Sequence, residues 1–227
     1  MYHDKKIIAI IPARFDSQGL AHKNLKKFQD IPLFMHSVKY AFESKYVDDV
    51  LVSSDSEKIL KIAHENGCLK NKLRPKRLSS DTARTVDVIL WELKNQKQKY
   101  DAVCLLQPTS PLRPKGALDK AIASYFKKET SLISVVKCHT QPEFIRYIGK
   151  DQKLHKIVKG TADLRRQDFI QDYEIVGSIY INNVHTLTKD TVLNENKIPF
   201  ILDEYYGLDI DTSKDWNELK KRDKENN

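Results

Sequence analysis

The feature that most constrains the fold is a short apolar segment, residues 7–13, which is followed at once by a polar loop. A continuous isoleucine-rich run that ends near a proline is typical of a strand buried on both faces of a sheet. In open α/β sheets, ligands bind in the loops at the carboxyl ends of such strands. This loop contains Arg14 and Lys23, and cations combined with backbone N–H groups suit a polyphosphate. The sequence therefore predicts an α/β fold with an anion site after its first strand.

The next part of the chain alternates between helical and extended patterns. Apolar residues at helical spacing predict helices over residues 32–46, 56–66 and 85–97, and a fourth helix that opens at Pro114. Unbroken apolar runs predict strands over residues 49–53, 102–106 and 131–136. Apolar strands that alternate with helices are expected to form a mainly parallel sheet with helices on both faces.

The pattern changes after residue 137. Residues 144–148 and 154–158 alternate in polarity around Gly149-Lys150-Asp151, which predicts a hairpin. A polar, irregular stretch follows, and then two strands and a last helix are predicted over residues 178–181, 200–202 and 214–221. We expect residues 1–227 to form a single domain from which residues 138–172 project.

Composition excludes several classes of protein. The chain of 227 residues is 40% hydrophobic and 31% charged, which is typical of a globular protein and not of a disordered one. No apolar run reaches membrane-spanning length, so we expect no membrane partner. The net charge of +8 is dispersed and is not combined with an aromatic platform, so we expect no specific nucleic-acid partner. Three scattered cysteines favour reduced thiols in the cytoplasm and no zinc site.

The loop after the first strand resembles the first motif of the acylneuraminate cytidylyltransferases, which are the CMP-sialic acid synthetases and their legionaminic and pseudaminic acid relatives. That motif is an apolar strand, then Ala-Arg, a spacer, Ser-Lys-x-Leu or Ile, and Lys-Asn. The matching residues are Ala13, Arg14, Ser17, Gly19, Leu20, Lys23 and Asn24. Gln18 departs from the motif, because the family usually has lysine at that position.

The resemblance implies a Rossmann-like three-layer sandwich of the nucleotide-diphospho-sugar transferase type. It also implies CTP and an acidic sugar as substrates, Mg²⁺ as cofactor, and a homodimer built by the projecting segment. Arg14 and Lys23 would neutralise the departing pyrophosphate and are therefore candidate catalytic residues. The loop residues implied to bind the nucleotide are Arg14, Ser17, Gln18 and Asn24.

Residues 105–113 form a second motif, Leu-Leu-Gln-Pro-Thr-Ser-Pro-Leu-Arg, which matches the family's Leu-Gln-Pro-Thr-Ser-Pro-Leu-Arg. The resemblance implies that Gln107 lies near the acidic sugar. Thr109 and Ser110 could instead cap the following helix, and the residue type favours this role for Ser110.

Residues 74–82 form a third motif, which resembles the family's Arg-Pro, spacer and Leu-Ala/Ser-x-Asp. The resemblance implies that Arg74 and Ser80 bind the cytosine edge together with Asn24. Cytosine has acceptors on its carbonyl and ring nitrogen and a donor on its amino group, which such residues complement. The alternative is that Ser80 or Asp81 caps the next helix, since both are strong N-cap types.

Asp209 and Asp211 are separated by one residue close to the end of the chain. On an extended strand this spacing puts both carboxylates on one side, where they would suit Mg²⁺. Thr212 or Ser213 can cap the final helix, which leaves the two aspartates available. The family has the same Asp-x-Asp, and the resemblance implies that it binds the catalytic metal. One of the pair, or a metal-bound hydroxide, would take the proton of the sugar hydroxyl.

Two further segments match the family in the same order, Arg166-Gln167 and the Gly-Ser-Ile-Tyr-Ile-Asn of residues 177–182. The resemblance implies that Arg166 faces the sugar carboxylate as a planar bidentate partner, with Gln167 beside it and Tyr180 lining the sugar pocket. Arg165 could be the carboxylate partner instead.

Two alternatives to this function stay open. Gln18 removes a cation, so the chain could be a catalytically weak homologue that only binds nucleotide or sugar, although the intact aspartate pair argues against this. The alternative enzyme is a ketodeoxyoctonate cytidylyltransferase. That group has Ser-Thr-Arg-Leu-Pro-Gly-Lys after its first arginine, which matches this loop less well.

Overall fold

The computed structural model describes residues 1–16, 19–158 and 170–225. The strands in these ranges are β1 (Ile7–Pro12), β2 (Lys27–Phe28), β3 (Ile31–Pro32), β4 (Asp49–Ser53), β5 (Ala102–Leu105), β6 (Leu132–Lys137), β7 (Arg146–Ile148), β8 (Leu154–Lys156), β9 (Tyr173–Asn183) and β10 (Ile198–Ile201). The α-helices are α1 (Leu33–Phe42), α2 (Glu57–Glu65), α3 (Thr85–Asn95), α4 (Ala117–Lys128) and α5 (Ser213–Glu225).

Six strands form one sheet in the order β10-β6-β9-β5-β1-β4. The pairs β10–β6, β5–β1 and β1–β4 are parallel, whereas β9 runs antiparallel to both of its neighbours, β5 and β6. The predicted mainly parallel sheet is therefore confirmed, with one reversed strand inside it.

The first strand shows why the sheet is covered on both faces. The side chains of β1 are buried on both sides, and alternate ones belong to different core clusters. Ile7, Ala9 and Ile11 pack with residues of α1, α2 and α4. Ile8 and Ile10 pack on the opposite face with residues of α3. A strand between two apolar layers needs an unbroken apolar sequence, and the predicted three-layer arrangement is confirmed.

Several predicted elements differ from the structure in their bounds, as β10 does from the strand predicted over residues 200–202, and two of the differences have a clear physical cause. Pro114 does not open a helix, because α4 begins only after Gly116, whose φ of 71° is left-handed. The Pro114 carbonyl instead accepts a hydrogen bond from the Tyr40 hydroxyl at 3.1 Å. The strand predicted over residues 178–181 is also too short. Residues 173–175 extend it, since they pair with β6 even though their own pattern is polar and irregular.

The predicted hairpin is confirmed as the antiparallel pair β7–β8. It lies outside the main sheet and leaves Tyr147, Ile148 and Leu154 exposed. Residues 159–169 of the predicted projecting segment lie outside the described residues. Across the described ranges, no helix has both the length and the apolar character needed to cross a membrane.

The pairing of β6 with β9 contains an irregularity at Ser134. The register shifts there, and residues 176–179 of β9 bulge out of the ladder. The fully buried Ser134 hydroxyl donates to the Val176 carbonyl at 2.8 Å and accepts from the Ile179 N–H at 2.9 Å. One side chain thus pairs backbone groups that the interrupted ladder leaves without strand partners.

We expect Ser134→Ala to lower the free energy of unfolding by about 1–3 kcal/mol, because it leaves buried backbone groups unpaired. Urea denaturation monitored by circular dichroism measures this change. Ser124→Ala on the half-buried face of α4 is the matched control, and it should alter the free energy by less than about 0.5 kcal/mol. Equal losses in the two variants would contradict the role given to the Ser134 hydroxyl.

Candidate active site

Two neighbouring cavities open beyond the carboxyl ends of β1 and β5. The first has a volume of about 260 Å³ and the second about 570 Å³, and they share the lining residues Ala83, Thr85 and Gln107. The first cavity brings together the predicted nucleotide and phosphate residues Arg14, Lys23, Asn24, Arg74 and Ser80. The second brings together the predicted residues Gln107, Tyr180 and Asp209.

The loop after β1 is fastened at both ends. The Phe15 N–H donates to the Asp55 carboxylate at 2.8 Å, and Asn24 Nδ2 donates to the Arg14 carbonyl at 2.7 Å. Asn24 is 3% exposed, and its Oδ1 is buried without a hydrogen-bond partner. Because an unpaired buried acceptor is costly, this oxygen is a natural acceptor for a ligand that donates a hydrogen bond.

Both cations of this loop contact carboxylates. Arg14 Nη1 lies 2.6 Å from Asp81 Oδ1, and Lys23 Nζ lies 2.5 Å from Asp211 Oδ1. The Lys23 side chain is only 11% exposed, and it also donates to the Ile210 carbonyl at 2.8 Å. Lys23 therefore joins the first loop to the end of the chain, while Arg14 joins it to the segment before α3.

Arg74 and Ser80 line the first cavity from the segment before α3. Arg74 is 5% exposed, its Nε donates to Ser79 Oγ at 3.1 Å, and burial lowers the pKa of its guanidinium. The alternative that Ser80 or Asp81 caps α3 is wrong. The cap position belongs to Arg84, and no side chain caps that helix.

The loop after β5 is fixed by Arg113 and not by a helix cap. Arg113 donates to the Ser178 carbonyl at 3.0 Å, to the Gln107 carbonyl at 2.8 Å and to the Ser37 hydroxyl at 3.0 Å. The sequence offered only an arginine in a loop with two prolines, which does not identify these partners. The prediction that Ser110 caps α4 is wrong, since its hydroxyl is buried without a partner and α4 has a glycine at the cap.

The β9 bulge determines where Gln107 lies. The Gln107 N–H donates to the Gly177 carbonyl at 3.4 Å. A Cβ on Gly177 would lie 1.9 Å from Gln107 Oε1, which is a steric clash. In its present position the Gln107 amide lies against Gly177, and a side chain at position 177 would displace it.

Asp209 and Asp211 lie on an irregular segment between β10 and α5, and not on the strand that their spacing suggested. Between them, the fully buried Ile210 fixes the segment, and its N–H donates to the Thr109 carbonyl at 2.8 Å. The first loop packs closely against the same segment. A Cβ on Gly19 would lie 2.2 Å from the Asp211 carbonyl oxygen.

Of the two predicted caps of α5, Thr212 or Ser213, the structure has Thr212. Thr212 Oγ1 accepts from the Asp215 N–H at 3.3 Å, and the Asp215 carboxylate accepts from the Thr212 N–H at 2.7 Å. This reciprocal cap uses Asp215 as its carboxylate. The side chains of Asp209 and Asp211 are therefore not needed to start the helix.

The two aspartates differ in their surroundings. Asp209 is accessible from the second cavity, yet desolvation by the protein around it raises the pKa of its carboxyl, and the charge of Asp211 raises it further. A hydrogen bond from Thr109 and the charge of Lys23 oppose the shift. Within the described ranges, no three His, Cys, Asp or Glu side chains are grouped as metal ligands.

Tyr180 contributes to the second cavity from β9. It is 5% exposed, and its hydroxyl donates to Asn194 Oδ1 at 3.2 Å. Burial, with a smaller contribution from Asp209, raises the pKa of Tyr180 to about 12, so the phenol stays protonated at neutral pH. The other predicted residues of the site lie outside the described residues: Ser17, Gln18, Arg165, Arg166 and Gln167.

The chain is similar to named proteins over most of its length. It is 29% identical over 215 residues to the pseudaminic acid cytidylyltransferase of Campylobacter jejuni, which covers 92% of this chain and 93% of that protein. It is 30% identical over 226 residues to the CMP-N,N'-diacetyllegionaminic acid synthase of Legionella pneumophila, with 93% of each covered.

A solved structure of CMP:2-keto-3-deoxy-manno-octonic acid synthetase complexed with CTP has the same fold. It superposes with a TM-score of 0.73 over 98% of this chain and 100% of that one, at 15% identity. The family model described as cytidylyltransferase matches residues 8–219. The chain is therefore a nucleotidyltransferase that belongs to the cytidylyltransferase family.

Proposed function

We propose that this enzyme transfers CMP from CTP to the anomeric hydroxyl of an acidic nine-carbon sugar of the sialic, legionaminic or pseudaminic acid type. The observation that supports this most is the pair of cavities that share Gln107. One contains the cations and an unpaired buried acceptor, and the other contains Asp209 and Tyr180. In the reaction, the hydroxyl oxygen bonds to the α-phosphorus, the bond from that phosphorus to the bridging oxygen breaks, and pyrophosphate leaves.

The first cavity suits the nucleotide. The unpaired Asn24 Oδ1 can accept from the amino group of cytosine, and Arg74 can donate to the acceptors on the ring. Ser80 lines the same cavity. A base lacking the amino donor would leave the buried Asn24 oxygen unpaired, and this favours cytosine over uracil.

The triphosphate would bind where Arg14 and Lys23 lie. Each already contacts a carboxylate, so the phosphates must compete with Asp81 for Arg14 and with Asp211 for Lys23. Because a triphosphate bears more negative charge than either carboxylate, this exchange favours the ligand. The two cations would then stabilise the charge that develops on the departing pyrophosphate.

The donor set of Asp209 and Asp211 fits Mg²⁺. This ion keeps several waters and takes one or two protein carboxylates plus substrate phosphates, which matches a site with two aspartates. The raised pKa of Asp209, caused in part by Asp211, marks a repulsion that a cation would relieve. Asp209 and Asp211 would hold the ion, which supplies charge neutralisation at the phosphates.

The second cavity suits the sugar. Asp209 lines this cavity and is therefore the candidate base for the anomeric hydroxyl. Gln107 and Tyr180 would orient the sugar ring. Arg166 or Arg165, with Gln167, would bind the sugar carboxylate as the family resemblance implies.

We also propose a homodimer that acts in the cytoplasm. Phe144, Ile148 and Leu154 are exposed on and beside the β7–β8 hairpin, within the segment predicted to project. Apolar side chains exposed together in this way are typical of protein–protein contacts. The two buried cysteines and Cys138 are free thiols, which suits a reducing compartment.

The proposal is tested by pyrophosphate release from CTP and Mg²⁺ with a panel of pseudaminic, legionaminic, sialic and ketodeoxyoctonic acids. We expect turnover with at least one of the nine-carbon acids. Turnover with ketodeoxyoctonic acid alone would contradict the proposed sugar class. Binding of CTP without turnover on any acid would indicate a catalytically weak homologue.

We expect Arg14→Ala to lower kcat/KM at least about tenfold, equivalent to about 1.4 kcal/mol of transition-state stabilisation. Lys23→Ala should lower kcat/KM at least as much. It also removes the contact with the Ile210 carbonyl, so a loss of activity in Arg14→Ala is easier to assign to the phosphates. Arg77→Ala, at an exposed arginine, is the matched control and should leave kcat/KM unchanged. Near-wild-type values for both loop variants would mean that the loop does not hold the phosphates.

We expect Asp209→Asn to abolish turnover but to raise the melting temperature of the ligand-free protein at neutral pH. A carboxyl whose pKa is raised in the folded state loses its contribution to stability as the pH rises through that pKa. The advantage of the variant over the wild type should therefore grow from acid to neutral pH. Asp211→Asn is the contrasting control, since it weakens the contact with Lys23 and should lower the melting temperature. A lower melting temperature for Asp209→Asn at neutral pH would contradict the prediction.

A further inference from the structure

The outer wall of the second cavity is formed by residues 191–194, between β9 and β10. One end of this wall is anchored to the sheet. Asn194 accepts from the Tyr180 hydroxyl at 3.2 Å, and Asn196 Nδ2 donates to the Leu132 carbonyl at 2.8 Å. The end of the wall nearer to β10 is therefore fixed by side chains that bond to the core.

The other end of the wall is a turn held by Arg84. Within the turn, the Thr191 N–H donates to the Thr188 carbonyl at 3.1 Å, and the Thr188 N–H donates to Thr191 Oγ1 at 3.0 Å. These bonds close the turn on itself but do not attach it to the sheet. Arg84 Nη2 donates to the Lys189 carbonyl and to the Thr191 carbonyl, the latter at 3.4 Å.

Arg84 connects this turn to the boundary between the cavities. It precedes α3 and lies between Ala83 and Thr85, both of which line the two cavities. Its Nε lies 3.9 Å from Asp87 Oδ2, which helps to orient the guanidinium. Both carbonyl contacts come from Nη2, whereas the ion pair with Asp87 is made through Nε, so two separate nitrogens of one rigid guanidinium hold the turn and α3 together. A lysine has a single side-chain nitrogen on a flexible chain and cannot span both partners in this way.

We propose that Arg84 is a positioning residue that fixes the outer wall of the second cavity and thereby sets the affinity for the acceptor sugar. The identity of the ligand rests on the proposed function, but the contact between Arg84 and the turn does not. Arg84 itself also lines the cavity, so the alternative is direct contact of its guanidinium with the sugar. The two roles differ in the ligand-free protein, because only the positioning role stabilises the turn before sugar binds.

The experiment compares the full-length variants Arg84→Gln, Arg84→Lys and Arg77→Gln with the wild type. In the ligand-free protein, amide hydrogen exchange over residues 187–195 should become faster in both Arg84 variants and stay unchanged in Arg77→Gln. In turnover assays, the KM for the sugar should rise about tenfold in Arg84→Gln, or about 1.4 kcal/mol, with the KM for CTP within about twofold of the wild type. Arg84→Lys should not restore the sugar KM.

Unchanged exchange over residues 187–195 in Arg84→Gln would overturn the proposal, and a raised sugar KM in that case would indicate direct contact. Equal rises in the KM values for sugar and CTP would also overturn it, because they would indicate a general loss of structure. If the wild type turns over none of the sugars, the proposed function fails, and the exchange result alone then supports or overturns the role of Arg84 in fixing the wall.

Discussion

The site depends on the way the Ser134 hydroxyl completes the pairing of β6 with β9. The bulge opposite Ser134 moves residues 176–179 out of the ladder. Two of them then reach the loop after β5, where Gly177 pairs with the Gln107 backbone and Ser178 accepts from Arg113. The position of Gln107 between the cavities therefore depends on this bulge, whose buried backbone groups Ser134 pairs, and on Arg113, which bonds to the Gln107 carbonyl.

A second connection joins the two ends of the chain. The nearly buried Lys23 bonds to the Ile210 carbonyl and to Asp211, and the first loop packs against the same segment at Gly19. The cations that are proposed to bind phosphate are thus already paired with carboxylates. Partners of this kind keep Lys23 and Arg14 in place and offset part of the cost of desolvating each cation before a ligand arrives.

The sequence predicts those features of the fold and the site that a local pattern of residues determines. The apolar run of β1 indicates burial on both faces, and the motif positions indicate which side chains gather at the carboxyl end of the sheet. The local pattern does not predict the structure where tertiary contacts determine where a helix or strand begins. Ser110 and Asp81 have the chemistry of helix caps, yet the helices that follow start later, after Gly116 and Arg84. The polar start of β9 is likewise a strand only because β6 lies beside it.

The arrangement of the two cavities is consistent with catalysis by position. In the proposed reaction the sugar hydroxyl and the α-phosphorus must meet, and with one substrate in each cavity they would meet where the cavities adjoin, beside Ala83, Thr85 and Gln107. Holding two reactants at a common boundary removes much of the entropic cost of a bimolecular step. The segment before α3 forms part of both walls and continues into Arg84. The proposed nucleotide and sugar cavities therefore share one short stretch of backbone as part of their walls.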